Sequence, residues 1–167
     1  MITLPETPTL TSPTTEVRTS YLVGEQADSL LRGKDTDWLG PASTDFAGFV
    51  DARCGVKERW GVPSTLFWYV SGEFYLGTLV IRHELNGELA DEEGGHIGYH
   101  VVAPWRRQGH ATRMLGAALG ECRSLGLKRV LLCCDPDNEA SRRVILRNGG
   151  MPDGQRHGED RFWIDVE

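Results

Sequence analysis

The sequence predicts a single α/β domain, with helices around a mixed, mostly antiparallel sheet, and three observations predict it. Strand-like runs crowd the stretch from Thr65 to Val102. A long helix, Gly109 to Leu125, then separates the strand-like runs His96–Val102 and Val130–Cys134, which makes a β-α-β unit. A shorter helix, Asn138 to Asn148, and a closing strand, Phe162 to Val166, finish the chain. The crossover between the two strands of the unit should be right-handed, with parallel pairing at that point.

The elements follow in order. Met1 to Glu16 is rich in Thr and Pro, with no Lys or Arg and no apolar centre. It does not read as a secretory signal, but as a loosely ordered lead-in to one domain covering residues 17–167. A first helix is expected over Ser20–Leu31, with Leu22, Val23, Ala27, Leu30 and Leu31 as its apolar positions. Gly33, Asp35, Gly40 and Pro41 mark a turn region. A second helix should start at a Ser43/Thr44/Asp45 cap and run to about Arg53, with Phe46, Phe49 and Val50 inward.

Thr65–Val70 is β-branched and aromatic, and Ser71-Gly72 signals a hairpin into Tyr75–His83. In the strand from His96, residues Ile97, Tyr99 and Val101 share one face. His96, Gly98, His100 and Val102 share the other. In the long helix Ala111, Met114, Leu115, Ala118, Leu119, Cys122 and Leu125 recur every three or four residues, and Gly126 ends the stripe.

Composition narrows the function. Eighteen basic and 24 acidic residues leave a formal charge of −6. That argues against a nucleic-acid partner held by a basic surface, and suits a cationic substrate such as an amine. No apolar run reaches the ~20 residues of a membrane span. Cys54, Cys122, Cys133 and Cys134 have no C-x-x-C spacing and read as reduced thiols of a cytoplasmic protein. A zinc site is not expected, and His96 and His100 stand too far apart on a strand to share an ion.

The strongest chemical signal is Arg106-Arg107-Gln108-Gly109-His110-Ala111-Thr112, between a strand and a helix. The first N–H groups of a helix lack internal partners and sit at the positive end of its dipole. Small residues at 109 and 111 let a phosphate approach the backbone, and Arg106 and Arg107 can add charge. The segment predicts an anion site, best suited to a diphosphate. It is neither a Walker motif nor G-x-G-x-x-G.

Arg106-x-x-Gly109-x-Ala111 also matches the [QR]-x-x-G-x-[GA] signature of GNAT acetyltransferases. Further segments resemble that family in order and spacing: Val62–Trp68, Arg82-His83-Glu84-Leu85-Asn86, Gly94-Gly95-His96-Ile97-Gly98-Tyr99, Asp135-x-x-Asn138-x-x-Ser141-Arg142, Asn148-Gly149-Gly150 and Phe162-Trp163-Ile164. The resemblance covers nearly everything after residue 16. It implies the GNAT fold and acetyl-CoA, with CoA as product, lying where the strands of the β-α-β unit splay. Backbone groups of Val101 and Val102 would then hold the pantetheine arm and polarise the thioester. Amides of Gln108, Gly109, His110, Ala111 and Thr112 would hold the pyrophosphate, and Asn138 and Ser141 would border the cofactor. An amine would attack the thioester directly. Three positions depart from the pattern: Pro104 comes one residue late, Phe162 replaces a common tyrosine, and Ile145 occupies the place of the usual tyrosine acid.

The amine must shed a proton, for which histidine is suited near neutral pH. His96, at the start of its strand, and His83, expected opposite it across a hairpin, form the leading catalytic pair. His100 shares the face of His96 and can line the same groove. Ser141, Tyr99 or a water stands in for the missing acid. Asp35, Asp37, Asp45 and the loop Asp91-Glu92-Glu93 are candidate attractants for a cation. The activity expected is acetylation of a primary amine, on a small molecule before a peptide. The competing readings are a non-catalytic acyl-CoA sensor and a nucleotide or phosphate-sugar binder on the same helix start. Exposed strand edges leave room for a homodimer.

Overall fold

The structure is a computed structural model that describes residues 2–92 and 94–167. Its elements are β1 (Thr9–Thr11), α1 (Arg18–Leu31), α2 (Gly40–Thr44), α3 (Phe46–Asp51), β2 (Val56–Arg59), β3 (Val62–Ser71), β4 (Phe74–Arg82), β5 (Ile97–Val101), α4 (His110–Ser124), β6 (Arg129–Cys134), α5 (Glu139–Arg147), β7 (Met151–Arg156) and β8 (Glu159–Asp165). The class expected from the sequence, α/β with mostly antiparallel pairing, is the one found.

The strands form two sheets. One runs β1-β3-β4-β5 with β2 also on β3; the other runs β6-β8-β7. Every ladder among the described residues is antiparallel. Among the described residues the parallel ladder expected between β5 and β6 is therefore missing, and the bridge seen between the two sheets is the antiparallel one from Gly95 to Leu132. The neighbouring β3 residues Trp68 and Tyr69 show how the helices are layered. Successive strand residues point to opposite faces. Trp68 stacks on Tyr21 of α1, centroids 4.5 Å apart, while Tyr69 meets His110 of α4 edge-on at 6.3 Å.

Two local results differ from the sequence reading. The lead-in is not loose at residues 9–11, which pair with Val70, Tyr69 and Trp68, and Ser71 binds the Glu6 backbone through its hydroxyl. A polar Thr/Pro stretch gains order here because β3 has an edge to offer. Helix α1 also turns its apolar stripe outward. Val23, Leu30 and Leu31 are exposed, whereas Glu25, Asp28 and Ser29 are buried against the first sheet. Such burial is tolerable only because each polar group finds a partner. Strands β2 and β7 carry charged, Pro and Gly residues and no alternation, so pattern did not reveal them. The Asp45 cap is present: its Oδ1 accepts from the Gly48 amide at 3.0 Å. All four cysteines are free thiols.

Candidate active site

The site begins where β5 and β6 part. In the β4–β5 ladder, Arg82 donates its amide to His96 and Val102 donates to Leu76. Hydrogen-bonded and non-bonded pairs alternate along an antiparallel ladder. Ile97, Tyr99 and Val101, opposite Ile81, Leu79 and Gly77, therefore point their amides and carbonyls away from β4, at the open edge. Val101 supplies an N–H to that edge. Val102 does not, because the Leu76 carbonyl at 3.0 Å already accepts its amide. Its side chain packs instead against α1, where a Cβ on Gly24 would come 3.0 Å from Val102 Cγ2.

His96 closes the narrow end of this wedge. Its amide donates to the Leu131 carbonyl at 2.8 Å, and its ring Nδ1 accepts from the Leu131 amide at 2.9 Å. The ring is buried, and its pKa falls to about 4, first through desolvation and then through Arg82. The expected base thus has its Nδ1 lone pair occupied by a main-chain donor. Arg82, not His83, lies across from His96, and the His83 ring turns to the Thr65 hydroxyl on β3 at 2.8 Å. The structure does not bring the two histidines together.

The wide end of the wedge meets the loop before α4. Arg107 and Gly109 have positive φ, 60° and 80°. Left-handed residues so spaced turn consecutive N–H groups toward one concave side. No side chain caps α4. Among the described residues, no protein acceptor meets the amides of residues 107–112, so the loop retains its donors for an anion. Arg113, which pattern reading missed, reaches back to the Gln108 carbonyl at 2.9 Å and adds positive charge beside them. Its Nη2 also lies 3.2 Å from His110 Nδ1, and the buried His110 ring sits edge-on to Trp105. Ala111 and Thr112 lie in the first turn.

Arg106 plays another part than expected. Its Nε donates to the Val101 carbonyl at 2.8 Å, and its guanidinium pairs with buried Asp28 of α1, which Arg32 also holds. It fastens the end of β5 to α1 instead of facing the loop amides. Arg107, also in this loop, is exposed.

On the β6 side, Asn138 caps α5 through Oδ1, which accepts the Ser141 amide at 3.1 Å. Ser141 Oγ lies 2.8 Å from Tyr99 Oη. This pair links β5 to α5 across the opening. Burial raises the Tyr99 pKa to about 12, so the phenol stays protonated.

The face of β5 toward α1 carries a second polar group. His100 Nε2 lies 2.9 Å from Glu25 Oε1, and the same oxygen accepts the Tyr75 hydroxyl at 2.5 Å. Burial opposes the charge on Glu25, but the bonds from His100 and Tyr75 outweigh it and hold the carboxyl below its ordinary value. Glu25, Asp28 and His100 offer ligand atoms within 4.8 Å of one another. With Arg32 and Arg106 on Asp28, they form an ion-pair network. The side chains of Asp91 to Glu93 lie outside the described residues. Among the described residues no helix is long and apolar enough to cross a membrane.

Comparison with known proteins gives the family and the fold. Residues 42–151, about two thirds of the chain, match the family model described as an acetyltransferase (GNAT) domain. The chain therefore belongs to the GNAT acetyltransferase family, and is an acyltransferase that uses acetyl-CoA. Solved structures share the fold. The ribosomal L7/L12 alpha-N-protein acetyltransferase RimL, in complex with coenzyme A, is 16% identical over 99% of each chain, with a TM-score of 0.66. Mycobacterium smegmatis RimJ, in complex with CoA-disulfide, is 21% identical over 96% of this chain and 88% of its own, with a TM-score of 0.66. The microcin C7 self-immunity acetyltransferase MccE, in complex with acetyl-CoA and AMP, is 15% identical over 96% and 93%, with a TM-score of 0.64. No curated protein sequence gives a significant match.

Proposed function

We propose that this chain N-acetylates a primary amine, with acetyl-CoA seated between β5 and β6 and its pyrophosphate on the amides of residues 107–112. The observation that carries the proposal is the combination of a parted strand pair with an uncapped helix start at its wide end. The residues fit the group: the Val101 amide faces the gap, Gly109 leaves the loop backbone accessible, and Arg107 and Arg113 bring charge. When bound, acetyl-CoA supplies an acetyl group activated as a thioester. Val101 N–H suits the thioester oxygen, where it stabilises developing negative charge. The Tyr99–Ser141 pair suits delivery of a proton to the departing sulfur, with one hydroxyl relaying to the other. Asn138, committed through Oδ1 to the helix cap, retains its Nδ2 donors for the cofactor. A small-molecule amine remains the expected acceptor.

The test measures thiol release from acetyl-CoA over a panel of primary amines, alongside calorimetry with CoA. Turnover with at least one amine supports the proposal. CoA binding without turnover on any amine would leave a sensing module in its place.

A further inference from the structure

We infer that His100, oriented by Glu25, is the group that takes the proton from the incoming amine. The inference rests on the acetyltransferase reading above and names the proton acceptor of that same site.

Its basis is position. His100 is bonded directly to Val101, whose amide faces the gap. An acyl oxygen on that amide places the acyl carbon beside residue 100. The His100 side chain projects to the α1 face of the sheet, as its bond to Glu25 shows, and is 34% exposed. It is therefore open to an arriving solute. His96 is buried and its Nδ1 is occupied, and His83 is turned toward β3. With Nδ1 accepting from Leu131, His96 offers only an N–H at its other nitrogen, whereas His100 engages Glu25 through Nε2 and keeps its other ring nitrogen clear of that bond.

Glu25 fixes which nitrogen that is. A carboxylate only accepts hydrogen bonds. Glu25 takes one from Tyr75, whose hydroxyl also lies 2.8 Å from Thr78 Oγ1. It must therefore take the second from His100 Nε2–H, which leaves the Nδ1 lone pair free. The charged and titratable groups around the ring are Glu25, Asp28, Arg32 and Tyr21 on α1, Tyr75 on β4, and Arg106 beyond β5. Asp28 is balanced by the two arginines, so Glu25 is the carboxylate left to stabilise an imidazolium.

The step balances as follows. One N–H bond of the substrate ammonium breaks, and its proton passes to Nδ1. The freed nitrogen lone pair forms the C–N bond to the acyl carbon as the C–S bond breaks, and the sulfur leaves with that electron pair. The sulfur takes a proton through the Tyr99–Ser141 pair, the second proton lost from nitrogen restores that pair by way of solvent, and the amide and the free thiol result. The imidazolium then returns its proton to solvent. Glu25 touches no reacting atom and is a positioning residue.

Two measurements test this. In the full-length protein without ligand, nitrogen-15 resonances of the His100 ring should report the Nε2-protonated tautomer. In Glu25→Gln they should shift toward the mixed population of free imidazole. A ring already protonated on Nδ1 in the wild type would overturn the inference. In steady-state kinetics with the best amine of the panel, His100→Gln should lower kcat by roughly a hundredfold or more. CoA affinity by calorimetry should stay within about twofold. An unaltered kcat in a variant that binds CoA would remove His100 from the chemistry. Loss of CoA binding by the wild-type protein would instead strike the acetyltransferase site itself. His100→Asn, smaller and also neutral, provides the same kinetic comparison if the glutamine variant folds poorly.

Discussion

His96 and Leu131 exchange two hydrogen bonds across the point where the sheets separate, one from each residue's amide, and the second ends on an imidazole instead of a carbonyl. The ring thus completes a ladder position that β-structure does not fill. Because folding holds its pKa near 4 against an ordinary 6.5, the unfolded chain binds the extra proton between those values. Stability from His96 should be complete above about pH 6.5 and decline as pH falls toward 4, by at most about 3 kcal/mol. His96→Asn offers an acceptor that does not titrate. The difference in urea-unfolding free energy between wild type and His96→Asn should narrow from pH 7.5 to pH 5; a constant difference would contradict the clasp.

Gly95 sits beside this clasp at a φ of 62°, and a Cβ there would lie 2.4 Å from the Leu131 carbonyl oxygen. Neither the backbone conformation nor the space admits a side chain. Gly95→Ala should lower stability by about 2 kcal/mol or more. Thermal melting of the variant checks this.

Arg106 ties Val101 and Asp28 together, so its loss should act on folding more than on the cofactor. Arg106→Gln should cost about 1 kcal/mol, since Arg32 still pairs with Asp28 and the arginine is partly exposed. Chemical denaturation and CoA calorimetry on one sample separate the two effects. A large loss of CoA affinity at unchanged stability would restore the role expected from sequence.

Tyr99 and Ser141 span the opening without belonging to either clasp. Tyr99→Phe keeps the ring and removes the hydroxyl 2.8 Å from Ser141. If the pair relays a proton to sulfur, kcat should fall by roughly tenfold to a hundredfold while CoA binding persists. Pre-steady-state thiol release measures this directly.

Much of this molecule was legible in its sequence, and for identifiable reasons. The α4 stripe from Ala111 to Cys122 and the face alternation of β5 follow from short-range periodicity, and the Asp45 cap from local chemistry, whereas Leu125, expected to close the stripe, lies past the helix end and is exposed. The glycine turn into α4 was legible because Gly109 stands at a helix start, where it takes a positive φ. The rest depended on distant contacts. Helix α1 is misread by hydrophobicity because Glu25, Asp28 and Ser29 are solvated by Tyr75, His100, Arg106 and Trp38 from other elements. Arg106 looked like a phosphate ligand because nothing local announces Asp28, on the far side of the sequence. His96 looked like a base because its partner is a main-chain amide, which leaves no mark in a sequence. Strands β2 and β7 arise from pairing with neighbours, not from their own residues.

The central claim is that the backbone amides before α4 grip the pyrophosphate of coenzyme A. Isothermal titration of CoA into the wild-type protein and into Gly109→Val tests it most directly, because residue 109 lies at φ 80° in the middle of those donors. The predicted result is one CoA per chain for the wild type and at least about a tenfold weaker affinity for the variant, or about 1.4 kcal/mol. Equal affinities in two folded proteins would contradict the claim.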